Sequence, residues 1–169
     1  DSIVFRSSEF FERVDISKQD PQKVFVFAGF PGAFIRSWDR GYTFPLDSIQ
    51  TFTNFIPIAS ADFDENVLFG FNHDILFCKN GSVVDASYVG VDIYFKMLYD
   101  VNQSHIYRAY NTGYEWSLKV SNNKGDANTW SATYYSDYPI FISIDSTQSG
   151  VVYLADGRRI YKSTNFGYT

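Results

Sequence analysis

Carboxylate side chains in predicted loops are the first candidates for chemistry in this sequence. Two carboxylates can cleave a glycosidic bond when they stand roughly 5 Å or roughly 6.5–9.5 Å apart, according to mechanism. Spacing along the chain gives no such separation, so solvated loop acids are the favoured interpretation and no catalytic residue is assigned. Asp62, Asp64 and Glu65 offer a loose Ca²⁺ candidate, because that ion needs clustered oxygen ligands. The acids concerned are Asp62, Asp64, Glu65, Asp92 and Asp100.

Histidine and cysteine give little support to metal or nucleophilic chemistry. His73 and His105 stand apart in the sequence, without a metal-ligand partner at helical spacing. Cys78, the single cysteine, lies in an apolar run and is interpreted as a buried thiol. A phosphate-binding glycine loop and a nucleophile elbow are also missing from the sequence. We therefore expect no metal ion and no cofactor.

Composition and charge narrow the class of protein. Aromatic residues make up 20% of the 169 residues, which favours pleated, half-buried β-strands over helices. The formal net charge of −5 lacks the basic footprint that nucleic-acid binding needs. Apolar stretches fall short of the roughly 20 residues that span a bilayer, so we expect no membrane segment in this chain. These properties predict an all-β protein that binds neither DNA nor RNA.

A short repeat organises the chain and must position its polar residues. Each copy has an apolar pair, a basic residue, and then a small residue that opens a turn. Residues 160–169 match residues 106–116 without a gap, and residues 34–44 match both. The turns are predicted to open near residues 7, 37, 79, 109 and 163, with a preceding strand in each case. Several short strands per roughly 40 residues is the period of a propeller blade.

The turn residues resemble the Asp-box, Ser-x-Asp-x-Gly-x-Thr-Trp, of sialidases, xyloglucanases, sortilin-type receptor ectodomains and secreted bacterial repeat proteins. One string gives the full pattern with Phe in the aromatic position, and two others match in part. A further string at 121–130 has two extra residues and is interpreted as a hairpin insertion. The predicted box residues are Ser37, Asp39, Gly41, Thr43, Phe44, Asn111, Gly113, Trp116, Ser163, Asn165, Gly167 and Thr169.

This resemblance implies a fold and a structural role for the boxes. Residues 1–169 are expected to form an Asp-box β-propeller segment of about four blades, each with four antiparallel strands. The segment is either part of a larger propeller or a unit closed by strand exchange or self-association. Each box would be the hairpin loop between the third and fourth strands of a blade, with Asp39, Asn111 and Asn165 in equivalent loops. In these families the boxes lie away from the active site, so they do not locate a function.

The leading hypothesis for function is a non-catalytic, extracellular or cell-surface scaffold that binds a protein or glycan. A secreted glycoside hydrolase fragment and a sortilin-type sorting-receptor ectodomain are the alternatives. A sialidase binds a carboxylate with three arginines from different loops. Here Arg6, Arg36 and Arg108 share the repeat position of Lys162, which favours a structural role for them and disfavours a sialidase. Propellers bind through the loops at one face, and the loop tips expected there are residues 30–32, 72–74 and 156–158. The candidate binding residues are Tyr42, Tyr114, Tyr168, His73 and Arg158.

Overall fold

The computed structural model describes residues 11–16, 20–28, 33–45, 50–51, 56–57, 69–71, 77–79, 82–85, 96–102 and 104–168. Across these residues the chain forms antiparallel β-strands and no helix. The expected all-β class with antiparallel sheets is therefore confirmed. Contacts divide the chain into two compact units, residues 1–72 and 73–169.

The first unit contains a four-stranded sheet whose strand order follows the chain. Its strands are β1 (Phe11–Ile16), β2 (Val24–Ala28), β3 (Ala33–Ser37) and β4 (Gln50–Thr51). Two further short strands, β5 (Ile56–Pro57) and β6 (Phe69–Phe71), pair with each other. The buried side chains of the sheet include Phe25, Val26 and Ile35, which lie on its central strands.

The second unit contains a hairpin and two larger sheets, again in chain order. The hairpin is β7 (Phe77–Lys79) with β8 (Ser82–Asp85). The next sheet is β9 (Lys96–Tyr99), β10 (Ile106–Asn111), β11 (Trp116–Ser121) and β12 (Trp130–Ser136). The last is β13 (Ile140–Ile144), β14 (Val152–Asp156) and β15 (Arg159–Ser163).

The core of the second unit lies between these two sheets. Side chains alternate along β14, where Val152 and Leu154 are buried while Tyr153 between them is exposed, as a half-buried strand requires. They pack against the neighbouring sheet in one apolar cluster. Its buried members are Tyr107, Ala109, Leu118, Val120, Ile140, Ile142, Val152 and Leu154.

The repeat has a constant period that differs from the predicted one. Strands β3, β7, β11 and β15 end at residues 37, 79, 121 and 163, so each end lies 42 residues after the previous one. The predicted turn near residue 109 is wrong, because Ala109 lies inside β10 and pairs with Leu118. The gap-free match aligned β10 with β15 through their similar apolar residues, whereas the strand that corresponds to β15 in the repeat is β11. The predicted turn near residue 7 lies outside the described residues.

Candidate functional site

Three turns that follow β3, β11 and β15 share one hydrogen-bond pattern. In each, a serine hydroxyl at the strand end accepts a bond from the glycine N–H four residues later, at 2.9, 2.8 and 2.9 Å. The same hydroxyl accepts a second bond from the N–H two residues later, at 3.3, 3.3 and 3.2 Å. We call these segments the serine turns; they are Ser37–Gly41, Ser121–Gly125 and Ser163–Gly167.

The backbone of the serine turns explains why each ends in glycine. Two successive residues have positive φ, at 63° and 84°, 49° and 74°, and 61° and 79° in the three turns. Side chains other than glycine pay a steric cost there, so the glycine relieves one of the two strained positions. The residue before the glycine tolerates the left-handed conformation within a turn held by its serine. The residues before the glycines are Arg40, Lys124 and Phe166.

The third residue of each serine turn has a local hydrogen-bonding role. Asp39 accepts from the Thr43 N–H at 2.8 Å and the Thr43 hydroxyl at 2.6 Å, and from the Ser37 hydroxyl at 2.7 Å. These bonds, the Thr43 hydroxyl first, lower the pKa of the Asp39 carboxyl from 3.8 to about 2. In the last turn Asn165 accepts from the Ser163 hydroxyl at 2.8 Å. The carboxylate and the amide therefore stabilise the loop itself.

In two of these turns a box aromatic, Phe44 or Trp130, lies against the turn glycine. A Cβ added at Gly41 would lie 3.9 Å from the Phe44 ring, so the ring covers the turn. In the second turn the Trp130 indole donates to the Gly125 carbonyl at 3.2 Å. The corresponding part of the last turn includes Thr169, which lies outside the described residues.

The predicted box around Asn111 is a different kind of turn. It joins β10 to β11, whereas residues 121–130 join β11 to β12. Within it the Gly113 N–H bonds to Asn111 Oδ1 at 2.7 Å, and Thr112 N–H bonds to the Glu115 carbonyl at 2.8 Å. The expected equivalence of Asn111 with Asp39 is therefore wrong, and Asn123 occupies that position. Trp116, the expected box aromatic, is the first residue of β11.

The three candidate tyrosines do not form one recurring row. Tyr42 and Tyr168 each follow the glycine of a serine turn, and Tyr42 is 75% exposed. Tyr168 lies edge-on to His105, with ring centroids 6.4 Å apart. Tyr114 is 93% exposed but lies in the β10–β11 turn, at the opposite end of its sheet from the serine turn that follows β11. The expectation of one shared position is wrong for Tyr114.

Arg158, the remaining described candidate, lines a cavity of about 320 Å³ at the β14–β15 turn. Tyr138, Asp156 and Arg159 line it as well. The turn has two residues, since Asp156 pairs with Arg159 across it. This places two guanidinium groups and one carboxylate at the end of the last sheet, beside an exposed tyrosine. We call these four residues the Asp156 site.

Asp156 is 1% exposed and is held by donors from three directions. The Tyr134 hydroxyl donates to it, Ser136 Oγ donates at 3.1 Å, and Arg159 Nη2 lies at 3.2 Å. These bonds, the Tyr134 bond first, lower the pKa of the Asp156 carboxyl. Burial and the bond to Asp156 raise the pKa of Tyr134. Asp156 is therefore a fixed anionic anchor at neutral pH.

Tyr138 lies directly over the turn glycine of the Asp156 site. A Cβ added at Gly157, where φ is +47°, would lie 2.9 Å from the Tyr138 ring. The glycine therefore allows the ring to sit against the turn beside Arg158. Sequence reasoning included the 156–158 tip but missed Tyr138, which is 18 residues upstream of Asp156 and carries no local signal.

Arg108 is a buried structural cation rather than a candidate substrate arginine. It forms an ion pair with Asp85 of β8, which also pairs with Lys119 at 2.7 Å. The Arg108 guanidinium lies 4.3 Å from the centroid of the Tyr110 ring. Burial lowers the pKa of Arg108, and Asp85 opposes that effect. Asp85 and Tyr110 therefore hold the buried Arg108 side chain inside the second unit.

The prediction that Arg36, Arg108 and Lys162 share one repeat position is wrong for Arg108. Arg36 and Lys162 each precede the serine of a serine turn, but Arg108 lies within β10. The Arg36 guanidinium lies over the Trp38 ring at 5.4 Å, and Lys162 lies over Tyr153 at 5.6 Å. Arg6 lies outside the described residues.

Two polar residues of the sequence analysis lie between β9 and β10 and contact turns of the last sheet. Asp100 is buried and accepts from Ser149 Oγ at 2.5 Å and from the Gly150 N–H at 2.9 Å. The His105 ring stacks on Phe166 with centroids 3.8 Å apart, and desolvation lowers its pKa. Asp100 therefore holds the β13–β14 turn, and His105 contacts the last serine turn.

Several candidates of the sequence analysis lie outside the described residues. Cys78 lies on β7, but its side chain is not among those described. Over the described ranges, no three His, Cys, Asp or Glu side chains group together as a metal site would need. No helix among those residues is long and apolar enough to cross a membrane. The candidates outside are Asp62, Asp64, Glu65, His73 and Asp92.

Comparison with known proteins shows the fold and nothing finer. No family model matches the chain, and no curated protein sequence matches it. Among solved structures, the crystal structure of the Niastella koreensis GH74 enzyme superposes with a TM-score of 0.52 at 12% identity. The match covers 94% of this chain and 37% of that chain, so this chain spans about a third of its length. The chain thus has an all-β antiparallel fold similar to that of GH74, a β-propeller family.

Proposed function

We propose that this chain is a non-catalytic segment of an Asp-box β-propeller that binds a glycan at the Asp156 site. The cavity of about 320 Å³ beside Asp156 is the observation that carries the proposal. The propeller part rests on the sheets of consecutive strands, the 42-residue period and the structural neighbour. The number of blades, a larger ring and an extracellular location belong to this proposal.

The Asp-box part of the proposal rests on the serine turns. Each follows a strand, keeps the serine-to-glycine bond and has an acid or amide at its third residue. The turns after β3 and β11 lead to β4 and β12, which pair with the strand before the turn. Asn123 and its turn therefore replace Asn111 among the proposed boxes.

The chemistry of the Asp156 site suits sugar hydroxyls. Binding sites combine an apolar wall with a few convergent polar groups. Tyr138 offers an exposed ring face, and Arg158 and Arg159 offer N–H donors. Asp156 is buried and its oxygens are already bonded, so its role is to hold Arg159 in place at the site. Sugar hydroxyls can accept from the arginine N–H groups while a sugar ring packs on the face of Tyr138.

The described site favours binding over cleavage. Glycosidic hydrolysis needs a second carboxylate at a defined distance. Asp156 is the one carboxylate among the described residues that line the cavity. Its lowered pKa keeps it ionised, so it has no proton to donate to a leaving group at neutral pH. The site thus lacks the acid–base pair within the described residues.

A glycoside hydrolase segment is the second candidate, because the structural neighbour is a GH74 enzyme. Its catalytic pair would then come from acids outside the described residues, of which Asp62, Asp64 and Asp92 are candidates. A protein ligand and a sorting-receptor ectodomain have no specific observation in their favour and stay predictions.

The test is a binding panel of neutral and acidic oligosaccharides, read by calorimetry, with released reducing ends measured in parallel. We expect saturable binding without turnover, and about tenfold weaker binding for Arg158→Ala and Tyr138→Ala. Arg40→Ala is the matched control, since this exposed arginine lies in a serine turn. Turnover that disappears in Asp62→Asn, Asp64→Asn or Asp92→Asn would favour the hydrolase. Binding that is unchanged in Arg158→Ala would place the ligand elsewhere.

A further inference from the structure

The charges of the Asp156 site do not cancel. Arg158 and Arg159 bring two cations to the cavity, whereas Asp156 brings one anion. The neighbouring acid Asp137 is exposed but is not among the described residues that line the cavity. The whole chain carries a net charge of −5, yet salt largely screens charges farther away than about 10 Å. A ligand that enters the cavity therefore meets a local excess of positive charge.

Asp156 is already occupied by donors of the protein itself. Its buried carboxylate accepts from the hydroxyls of Tyr134 and Ser136. Arg159 bonds to the same carboxylate through Nε at 3.4 Å and Nη2 at 3.2 Å. The Arg159 side chain is 65% exposed, so Nη1 on the other side of its guanidinium is left for a ligand. Asp156 thus neutralises Arg159 and fixes its orientation.

Arg158 is the cation of this site that keeps its charge uncompensated. It lies in the two-residue turn between β14 and β15 and is exposed. No acidic side chain of the described residues forms an ion pair with it. A guanidinium stays charged and presents paired N–H donors that match the two oxygens of a carboxylate. Arg158 therefore favours an anionic group over a neutral hydroxyl, because hydrogen bonds between charged groups are stronger.

Tyr138 can hold a sugar ring beside that cation. The Cβ position of Gly157, the residue before Arg158, lies 2.9 Å from Cγ of Tyr138. Tyr138 is 59% exposed, so much of its ring is open to a ligand. A uronic acid carries its carboxylate directly on the sugar ring. A uronate whose ring packs on Tyr138 can therefore bring its carboxylate to Arg158 within the same cavity.

We propose that the Asp156 site selects acidic glycans and binds a uronic acid residue, with its carboxylate on Arg158 and its ring on Tyr138. The proposal rests on the glycan-binding function proposed above and adds the class of sugar. Arg159 donates from Nη1 to a sugar hydroxyl, while Asp156 holds Arg159 in place. A neutral sugar can make the same ring contact but lacks the anion that Arg158 favours.

The test is calorimetric titration of the full chain with a galacturonic acid trisaccharide, its methyl ester and the corresponding galactose trisaccharide. Esterification removes the charge and keeps the sugar ring, so this comparison isolates the carboxylate. We expect the acid to bind about tenfold more tightly than the ester or the neutral sugar. The difference should shrink in about 1 M salt, where charges are screened within roughly 3 Å. The protein is unaltered in these comparisons, so folding does not affect them.

Two variants of Arg158 separate its charge from its hydrogen bonds. Arg158→Gln keeps N–H donors without the charge, so it should bind the acid and the ester equally. Arg158→Lys keeps the charge without the paired donors, so it should retain part of the preference. Arg40→Gln removes an exposed arginine in the first serine turn and should leave the preference unchanged.

The possible failures of this proposal and of glycan binding itself can be told apart. Equal affinity for the acid and the ester, with both weakened in Tyr138→Ala, would overturn the preference for acids and leave the glycan site in place. A preference that survives in Arg158→Gln would overturn the role of Arg158. Tighter binding of a sulfated galactose trisaccharide than of the acid would overturn the choice of a uronate. No binding of any sugar at millimolar concentration would overturn both the preference and the glycan site.

Discussion

At the residue scale, one hydroxyl organises each serine turn. The hydroxyl of Ser121 is buried, accepts from the Gly125 N–H at 2.8 Å and bonds to the Thr129 hydroxyl at 2.7 Å. All of these bonds are local, which is why the Ser-x-Asp-x-Gly spacing predicts such turns from sequence. The prediction failed at Asn111 because an Asn-x-Gly string also closes a β-hairpin.

Replacing Ser121 by alanine should destabilise the protein by about 1–3 kcal/mol. The change leaves the buried Gly125 N–H without its acceptor, while the Thr129 hydroxyl keeps its bond to the Asp126 carbonyl. Urea unfolding of Ser121→Ala beside Ser131→Ala, whose serine is exposed on β12, measures the difference. Equal stability of the two variants would contradict the role of the hydroxyl.

The Asp39 carboxyl should titrate near pH 2 in the folded protein. Its folded pKa lies below the ordinary value of 3.8, so its contribution to stability is present above about pH 4 and is lost as the pH falls toward 2. NMR titration of the carboxyl carbon measures this value. In Thr43→Val the pKa should rise, because the hydroxyl bond to Asp39 is removed. An unchanged titration in that variant would show that other groups lower it.

At the element scale, ion pairs between residues far apart in the sequence hold neighbouring strands together. Asp85 of β8 reaches Arg108 of β10 and Lys119 of β11, which are 23 and 34 residues away. Sequence analysis assigned Arg108 to a repeated turn position, since a long-range ion pair leaves no spacing signal. The presence of antiparallel strands could be predicted from aromatic and apolar runs. Which strand leads into each repeated turn could not, because that depends on tertiary contacts of this kind.

Removing Asp85 should cost about 3–5 kcal/mol, because Arg108 would stay buried without its anion. Asp126→Ala is the control, since Asp126 pairs with Lys79 at a half-exposed position. Chemical unfolding measures both variants. If Asp85→Ala does not fold, the double variant Asp85→Leu/Arg108→Met should recover folding. A double variant no better folded than Asp85→Ala would contradict this account.

The turn glycine of the Asp156 site tests the placement of Tyr138. Gly157→Ala puts a Cβ into the Tyr138 ring, so glycan binding should fall about tenfold. Gly113→Ala is matched in positive φ but lies in the β10–β11 turn. Both changes should cost roughly 1 kcal/mol of stability. Calorimetric binding that falls equally in both variants would remove Tyr138 from the site.

At the scale of the whole molecule, sequence periodicity and charge were the useful signals. The all-β fold was predicted from composition and the repeat, and the GH74 neighbour agrees with it. The candidate site was predicted through the 156–158 tip and Arg158, but not Tyr138, which the connection between β12 and β13 brings to the cavity. Such a cavity depends on packing between elements, which single-sequence patterns do not encode.

The net charge of −5 predicts that the protein does not bind nucleic acid. Counterion release needs clustered cations, and the described cations are largely paired with acids or rings. An electrophoretic mobility assay with duplex DNA and with RNA at low salt should show no shift. A shift that disappears as salt rises would contradict this prediction.

Closure of each serine turn within five residues has a consequence for how the fold varies. Four residues separate Gly125 from β12, and eight separate Gly41 from β4, yet the closure before them is the same. The number of residues after the glycine can therefore change without altering the turn or the strand that precedes it. Insertions after the glycine are the changes that the sheets can accept most readily, and they offer a place to graft new loops.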